Sequence, residues 1–367
     1  MTTRFRASRF HSAALAALLT AAVALPTPAR AQDAIADFYK GKTVSMVIGL
    51  SPGGGYDIYA RIIGRHLARN IPGQPSFVPR NMTGAGGLVA ANHLYNVAPK
   101  DGTVLGAPQR GVPFEPLTGS GESKAQFDPL KFEWIGSANS ETSIAVAWHT
   151  AGITSYKDLL TKEIVFAGTG AGTESVVMPY VMGNLLGFKV KVIAGYPGGS
   201  EMDLAMERGE VGGRGTYSWS SFVAKRMDWL RDKQVVILYQ QALVKHPDLP
   251  DVPLVLDLAK NEADRQILEL EMIPLLFGRP YMAPPGTPKD RVAALRKAFD
   301  DTMKDPLFIA ESEKTKLEIE PVSGQQLEEL LKKAYATPKA LVDRLNEVSK
   351  FQPGLKVIEQ PEGKPAE

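Results

Sequence analysis

The feature that most constrains this chain is an apolar strand that runs through a glycine-rich turn into a helix. Its clearest case begins at residues 43–50 (TVSMVIGL), a β-branched and apolar run that predicts a buried strand. The turn SPGGG at residues 51–55 follows, and a helix is predicted to start near Asp57, where apolar residues begin to recur at helical spacing. Units of this kind build sheets of parallel strands with helices on both faces.

A second unit lies in the middle of the chain. Residues 163–167 (EIVFA) run into the turn GTGAGT at residues 168–173. The helix beyond this turn is predicted to be capped by Thr173 and stopped by Gly187.

A third unit follows almost at once. Residues 189–194 are strand-like, and the turn YPGG at residues 196–199 leads into a short helix that Ser200 and Asp203 are predicted to cap and Gly209 to end. Strands that alternate with helices through such turns predict mostly parallel sheets.

The C-terminal third is helical in pattern. Pro288 and Pro338 each suit the start of a helix, and Ser323 with Gln326 forms a predicted capping box. Residues 353–367 are predicted to form a flexible tail.

The first 31 residues have the order of a secretory signal peptide. Arginines precede an apolar run at residues 13–25, and the small residues around Arg30 predict cleavage after Ala31. The run has 13 residues, fewer than the roughly 20 that span a bilayer as a helix. We therefore expect a mature protein that is exported to the periplasm.

Charge and size exclude several classes of function. Residues 1–31 contain four arginines and no acid, so the rest of the chain carries 38 basic and 40 acidic residues. A chain of that balance has no general attraction to nucleic acid. The remaining 336 residues, in a chain that is 44% apolar, favour two domains over one.

Motifs for catalysis or for metal and cofactor binding are lacking. The five histidines are scattered and there is no cysteine, which leaves no recognisable metal site. Gly41-Lys42-Thr43 precedes a strand instead of following one, and no G-x-S-x-G occurs. The turn at residues 168–173 has Thr173 where a dinucleotide fingerprint needs its third glycine. We expect no catalytic residue and no cofactor.

The glycine-rich turns themselves can bind an anion. Each leaves main-chain N–H groups at the start of the next helix, where the helix dipole adds about half a positive charge. The alternative is that these glycines only make tight turns between strand and helix. Three such turns in one exported chain favour a cleft that holds a small anion.

At these residues the chain resembles a known family, the extracytoplasmic solute receptors of tripartite tricarboxylate transporters, also called Bug receptors. The resemblance extends from about residue 38 to residue 349. Its most specific motifs are SPGGGYD at residues 51–57, AR at 60–61, NMTGAGG at 81–87 and APKDGT at 98–103. Weaker matches are FDP at 127–129, GTGAGT at 168–173, YPG at 196–198, LPDVP at 249–253 and APPGTP at 283–288.

The resemblance implies a type II periplasmic binding protein fold, with two doubly wound α/β domains and a ligand cleft between them. The domains implied are residues 33–145 with 242–352, and residues 146–241. The ligand of such a receptor is a small organic acid, and its partners are a small and a large integral membrane subunit of the transporter. We expect a monomer.

The residues expected to bind the ligand come from both domains. They are Ser51, Gly53, Gly54, Gly55, Tyr56, Asp57, Gln109, Arg110, Gly168, Thr169, Gly170, Gly172, Thr173, Tyr196 and Arg214. Arg214 could clamp a carboxylate with two hydrogen bonds or could be an exposed loop arginine. Asp57 could accept from the ligand or only cap its helix. The tyrosines could stack on an aromatic acid or only pack the domain faces.

These observations favour a binding protein that closes two lobes on a small carboxylate and is not an enzyme. One alternative is a secreted hydrolase or lyase that acts on a small organic acid. Another is a sensory receptor that differs only in its docking surface.

Overall fold

The structure is a computed structural model that describes residues 1–2, 28–118, 123–350 and 356–357. Most of the predicted signal peptide and most of the predicted tail lie outside these residues. Within the described part of the chain, no helix combines the length and the apolar character needed to cross a membrane.

Twelve strands and thirteen α-helices are described. The strands are β1 (Thr43–Ile48), β2 (Ser76–Asn81), β3 (Val104–Ala107), β4 (Glu133–Ser137), β5 (Ser143–Trp148), β6 (Ile164–Ala167), β7 (Val190–Ala194), β8 (Gly213–Ser218), β9 (Val235–Gln241), β10 (Pro280–Ala283), β11 (Val322–Ser323) and β12 (Lys356–Val357). The helices are α1 (Pro28–Tyr39), α2 (Gly55–Asn70), α3 (Leu88–Asn96), α4 (Glu115–Thr118), α5 (Glu174–Leu186), α6 (Gly199–Glu207), α7 (Trp219–Lys225), α8 (Met227–Arg231), α9 (Glu262–Met272), α10 (Lys289–Thr302), α11 (Pro306–Lys314), α12 (Gly324–Tyr335) and α13 (Lys339–Val348).

The strands form two six-stranded sheets, which define the two lobes of the molecule. The first lobe has the strand order β11-β4-β10-β3-β1-β2, and the second has the order β12-β7-β6-β8-β5-β9. The predicted α/β architecture with two doubly wound sheets is confirmed. Strands that are connected through a helix run parallel within their sheet, as β1, β2 and β3 do.

The strands next to the crossings between lobes run antiparallel. The chain leaves the first lobe after Ser137, enters the second at Ser143, and returns between Gln241 and Pro280. β5 is antiparallel to both β8 and β9, and β10 is antiparallel to both β3 and β4. A strand that enters from the other lobe is not bound by the connection rule that keeps βαβ strands parallel.

Helices cover both faces of each sheet. In the first lobe α2 and α10 pack on one face around Ile63 and Phe299, and α3 and α12 pack on the other around Leu94 and Leu327. In the second lobe α5 and α9 cover one face, and α6 and α7 cover the other.

The late helices α9 and α13 pack with the second lobe. Ile267 and Met272 of α9 and Leu345 of α13 belong to the same buried cluster as Val181 of α5. The sequence assigned all of residues 242–352 to the first domain. We propose that α9 and α13 be counted with the second lobe, because burial against its sheet is what stabilises them.

Of the helix ends predicted from the sequence, the end of α5 agrees with the structure, and the predicted caps of α5 and α6 do not. Gly187 ends α5 in the left-handed conformation with a φ of 85°, as predicted. Thr173 does occupy the N-cap of α5, but its hydroxyl donates to the Gly170 carbonyl at 2.7 Å instead of capping the helix. The predicted caps Ser200 and Asp203 lie inside α6, which begins one residue earlier at Gly199.

The predicted flexible tail contains one ordered pairing. Lys356–Val357 forms β12, which lies parallel to β7 at the edge of the second sheet. The rest of residues 353–367 lies outside the described residues.

The capping box at the start of α12 gives a stability prediction. The Ser323 hydroxyl accepts from the Gln326 N–H at 3.3 Å, and the Gln326 side chain accepts from the Ser323 N–H at 2.9 Å. Ser323→Ala should lower the free energy of unfolding by about 1 kcal/mol, because a helix N–H loses its acceptor. Urea unfolding measures the change. Ser323→Thr, which keeps the hydroxyl, should stay near the parent, and equal losses for both variants would contradict the assignment.

Candidate ligand-binding site

The turns at the carboxyl ends of the strands face each other between the lobes. In the first sheet β1 lies between β2 and β3, and in the second β6 lies between β7 and β8. At each of these points the chain winds in opposite directions on the two sides of one strand, which opens a crevice at the carboxyl ends. The two crevices meet in a single cleft.

This cleft is lined by residues of both lobes. The first lobe contributes Leu50, Gly54, Gly55, Tyr56, Gln109 and Arg279, and the second contributes Thr169, Glu174, Ser175, Gly199, Met202, Arg214, Thr216, Tyr217, Ser218, Ser221 and Lys225. The space it encloses is about 50 Å³. One water needs about 10–15 Å³ of such space, so the cleft has room for roughly four water-sized groups.

Contacts across the cleft hold the lobes together. The Ser51 hydroxyl donates to the Glu201 carboxylate at 2.7 Å, and the Lys225 ammonium donates to the Gly53 carbonyl at 2.8 Å. Both bonds join the first lobe to the second, so the structure is a closed conformation.

The N-terminus of α2 is the contribution of the first glycine-rich turn. Gly54 and Gly55 line the cleft, and the first-turn N–H groups of α2 have no partner within the helix. The absence of a side chain at Gly55 leaves room for the other lobe, since a Cβ there would lie 2.0 Å from the Ser221 Oγ and would displace that hydroxyl. Tyr56 lies on the cleft wall, where its hydroxyl accepts from the Arg110 N–H at 3.1 Å.

Three predicted residues of this turn do not line the cleft. Asp57 is buried and accepts from the Gly53 N–H at 2.8 Å and from Arg61 at 2.8 Å, so its carboxylate shapes the turn. Gly53 is thereby already bonded, and Ser51 is engaged with Glu201.

The second predicted turn, residues 168–173, mostly packs against protein. Thr169 alone of the predicted residues in it lines the cleft. Cβ atoms added at Gly170 and Gly172 would meet first-lobe groups, at 2.5 Å from the Ala85 carbonyl carbon and 2.9 Å from the Glu115 carboxylate. The turn therefore lies against the first lobe when the lobes are closed.

The other predicted residues at this end of the second lobe also lie away from the lining. Gly168 sits against the side chains of Val176 and Val192. The Thr173 hydroxyl is buried among Thr169, Ser175 and the Gly170 carbonyl. Tyr196 is half-buried in the apolar cluster beneath α6, and this burial raises the pKa of its phenol.

Arg110 is buried behind the cleft and does not line it. Its guanidinium forms a two-pronged ion pair with Glu174 and donates to Ser143 at 2.7 Å and to Ser218 at 2.9 Å. Burial by itself would lower the pKa of Arg110, but Glu174, Tyr56 and Glu141 together exceed this effect, and the pKa is raised. Gln109, its neighbour in sequence, does line the cleft, with a buried Oε1 that accepts from none of the described residues.

Arg214 lies in the cleft wall and is not an exposed loop arginine. It is part of β8, donates to Asp203 at 2.7 Å, and stacks 3.7 Å from the Tyr217 ring. Asp203 has no exposed surface and also accepts from the Tyr217 hydroxyl at 2.9 Å. These contacts fix the guanidinium, while its Nε, which has no partner in the described part of the chain, remains available as a donor.

Two cations of the cleft were missed by sequence reasoning. Arg279 precedes β10 and is 1% exposed, with its guanidinium 4.5 Å from the Tyr56 ring and 3.0 Å from the Glu141 carboxylate. Lys225 ends α7, and partial burial lowers the pKa of its ammonium against the opposing attraction of Asp203. Neither follows a glycine-rich turn, and no local pattern distinguishes them from surface cations.

Solved structures of periplasmic binding proteins share this fold. MatC from Rhodopseudomonas palustris, solved with bound malate, has a TM-score of 0.65 and 19% identity over 84% of this chain and 99% of that one. The periplasmic binding protein BugD has a TM-score of 0.67 and 18% identity over 87% and 100% of the two chains. A TctC solute binding protein from Polaromonas has a TM-score of 0.54 and 14% identity over 83% and 99%. The chain has the fold of the Bug-type solute receptors.

A curated sequence agrees with this likeness. A protein of Cupriavidus necator described as "UPF0065 protein in gbd 5'region" is 34% identical over 123 residues, which are 34% of this chain. The match spans about a third of that relative's length, 36%. No family model matches the chain. The resemblance inferred from the motifs is confirmed at the level of the fold.

A second, smaller cavity of about 30 Å³ lies behind the cleft, between Gly111 and Phe114 of the first lobe and Gly172 of the second. Glu271 of α9 lines this cavity and is 7% exposed. Burial, and then the nearby Glu174 carboxylate, raise the pKa of Glu271 to about 8 from its ordinary value of 4.5.

Glu271 gives a prediction of pH dependence. The folded chain binds the Glu271 proton more tightly than the unfolded chain does, because its pKa is about 8 instead of 4.5. Proton binding therefore stabilises the folded state at low pH, and this stabilisation is lost as the pH rises from 4.5 to about 8. Glu271→Gln, which mimics the protonated acid, should flatten the fall in melting temperature between about pH 5 and pH 9. Glu262→Gln, an exposed change on the same helix, should leave the slope unchanged. Parallel curves for the parent and Glu271→Gln would contradict the raised pKa.

Proposed function

We propose that this protein is an exported receptor that captures a small organic acid between its lobes and delivers it to a tripartite tricarboxylate-type membrane transporter. The observation that carries the proposal is the cleft itself, in which the N-termini of α2, α5 and α6 and the guanidinium groups of Arg214 and Arg279 face one enclosed space. Helix N-termini and guanidinium groups are the donors that carboxylates prefer in proteins.

Capture proceeds by closure of the lobes. We place the hinge in the crossing segments 138–142 and 273–279, because they join β4 to the second lobe and α9 to β10; the described chain crosses once more between α12 and α13. A ligand that accepts from both lobes stabilises the closed form over the open one. Micromolar binding requires about 8 kcal/mol, within reach of several charge-assisted hydrogen bonds.

The ligands and names of similar proteins support an organic acid. MatC is solved with malate, and a second Rhodopseudomonas palustris protein is solved with adipate, at a TM-score of 0.63 and 16% identity over 86% of this chain. The description of BugD supports a periplasmic location for this chain. Removal of the signal peptide after Ala31 is proposed from the order of residues 1–31. By the same likeness the partners would be a small and a large integral membrane subunit, with the receptor acting as a monomer.

A binding screen tests the proposed function. The purified mature protein should show a raised melting temperature and a smaller radius of gyration in X-ray scattering with at least one acid from a broad panel of organic acids. The same panel of acids in a turnover assay separates this receptor from the alternative of a secreted hydrolase or lyase. A protein that neither melts later nor contracts with any acid would refute the proposal.

Gly170 gives a prediction about closure. Its backbone lies outside the left-handed region, so alanine is allowed there, but the new Cβ would lie 2.5 Å from the Ala85 carbonyl carbon of the other lobe. Gly170→Ala should hold the lobes apart, weakening binding by roughly tenfold or more and preventing the contraction seen by scattering. The effect is measured with whichever acid the screen identifies.

Gly111→Ala is the matched control for this variant. It also lies where the lobes meet, but a Cβ there would be 3.8 Å from the nearest second-lobe atom, the Glu174 nitrogen. It should bind and contract as the parent does. Full contraction of Gly170→Ala with unchanged affinity would show that the lobes close in a different way.

A further inference from the structure

The arginines around the cleft are paired with carboxylates. Arg110 is paired with Glu174, and Arg279 is paired with Glu141 at 3.0 Å, both pairs being buried. Each pair is close to neutral as a unit. These arginines therefore offer hydrogen bonds to a ligand without adding net charge to the cleft.

The same holds for the arginines on the second-lobe wall. Arg214 lies 2.7 Å from Asp203, and Arg226 lies 3.0 Å from Asp203 and 3.7 Å from Glu207. Two arginines thus share two carboxylates. Once again no positive charge is left over.

Lys225 is the cation that remains. Its ammonium is 4.0 Å from Asp203, which Arg214 and Arg226 already occupy at shorter distances. It faces the cleft, where it donates to the Gly53 carbonyl at 2.8 Å. Its charge is therefore the one that an entering anion can neutralise.

The helix N-termini and their acids also affect this charge. Each of α2, α5 and α6 carries an acid in its first turn: Asp57, Glu174 and Glu201 respectively. An acid at that position offsets the half positive charge of the helix dipole. Two of these acids already have an arginine partner, Glu174 with Arg110 and Asp57 with Arg61, so Glu201 is the one that opposes the dipoles with its full charge. With about half a positive charge at each N-terminus and Lys225 set against Glu201, the cleft holds roughly 1.5 positive charges, fewer than the two negative charges of a diacid.

We propose that this cleft selects acids with a single negative charge and that Lys225 is the residue that binds their carboxylate. The inference rests on the proposed function and narrows its ligand to small monocarboxylates. A second carboxylate would be buried in the closed cleft beside arginines that are already paired with carboxylates, which is strongly unfavourable. The free donors at Arg214 Nε and Arg279 Nη1, and the free acceptor at Gln109 Oε1, suit the uncharged polar groups of such a ligand.

Diacids compared with their own mono-amides give the direct test. Succinate and succinamate, malate and its mono-amides, and adipate and adipamate differ by one charge at nearly constant shape. Calorimetry at neutral pH and low salt should show the mono-amide binding at least tenfold more tightly than the diacid in any pair that binds. A diacid that binds as tightly as its mono-amide, or more tightly, overturns the inference while leaving the proposed function intact.

Failure of the proposed function has a different signature. If none of these compounds and no acid of the wider panel produces a thermal shift, the receptor assignment falls and the inference falls with it. If only monocarboxylic acids outside these pairs bind and no diacid does, the inference is supported.

Variants of Lys225 test the residue itself. Lys225→Met should weaken binding of the preferred monoanion by at least tenfold, and Lys225→Arg should restore much of it by keeping the charge. Lys260→Met is the matched control, because Lys260 is exposed and lies near Gly187 at the far end of α5. Unchanged affinity in Lys225→Met, with a parental melting temperature, would overturn the role of Lys225.

The carboxylate of Glu201 allows the opposite change. Glu201→Gln removes a negative charge beside the cleft but keeps an acceptor for the Ser51 hydroxyl. If net charge sets the selectivity, this variant should shift the ratio of diacid to mono-amide affinity toward the diacid by several-fold. A ratio identical to that of the parent would mean that shape, not charge, sets the selectivity.

Discussion

The buried ion pair between Arg110 and Glu174 is the contact on which the closed molecule depends. Arg110 extends from the first lobe, and its guanidinium is 1% exposed among second-lobe partners that include Ser143 and Ser218. A charge buried this deeply is tolerated only while its partners are in place. Closure of the lobes and formation of this pair are therefore one event, and when the lobes open both charges must be hydrated again.

The same principle shapes the cleft in front of that pair. Arg279 and Arg214 are each held by a fully buried carboxylate, Glu141 or Asp203. Fixed ion pairs present donors in set directions and need no reorganisation when a ligand arrives. Because water is largely excluded on closure, the surplus charge of Lys225 acts at short range in a medium of low polarity. Rigid arginines thus provide geometry, and one lysine provides charge.

The turns singled out in the sequence meet at the cleft, and several of their residues contact other protein groups there. The SPGGG turn and the GTGAGT turn do meet at one cleft, because parallel strands bring their carboxyl ends to one edge of each sheet. Within those turns, however, Asp57 shapes its own loop and Gly170 packs against the first lobe. Arg110 was expected to contact the ligand and is instead an ion-pair partner across the lobes.

The sequence by itself determined the strand, turn and helix units, since apolar spacing and glycine content act over fewer than about ten residues. Tertiary structure alone decided which charges are paired. Arg110 and Glu174 are 64 positions apart, and the hydroxyl of Ser220 that Arg279 contacts is 59 positions away. No local pattern encodes such distances. The net charge of the cleft is a small difference between many positive and negative side chains, so it can be counted only when the partner of each charge is known.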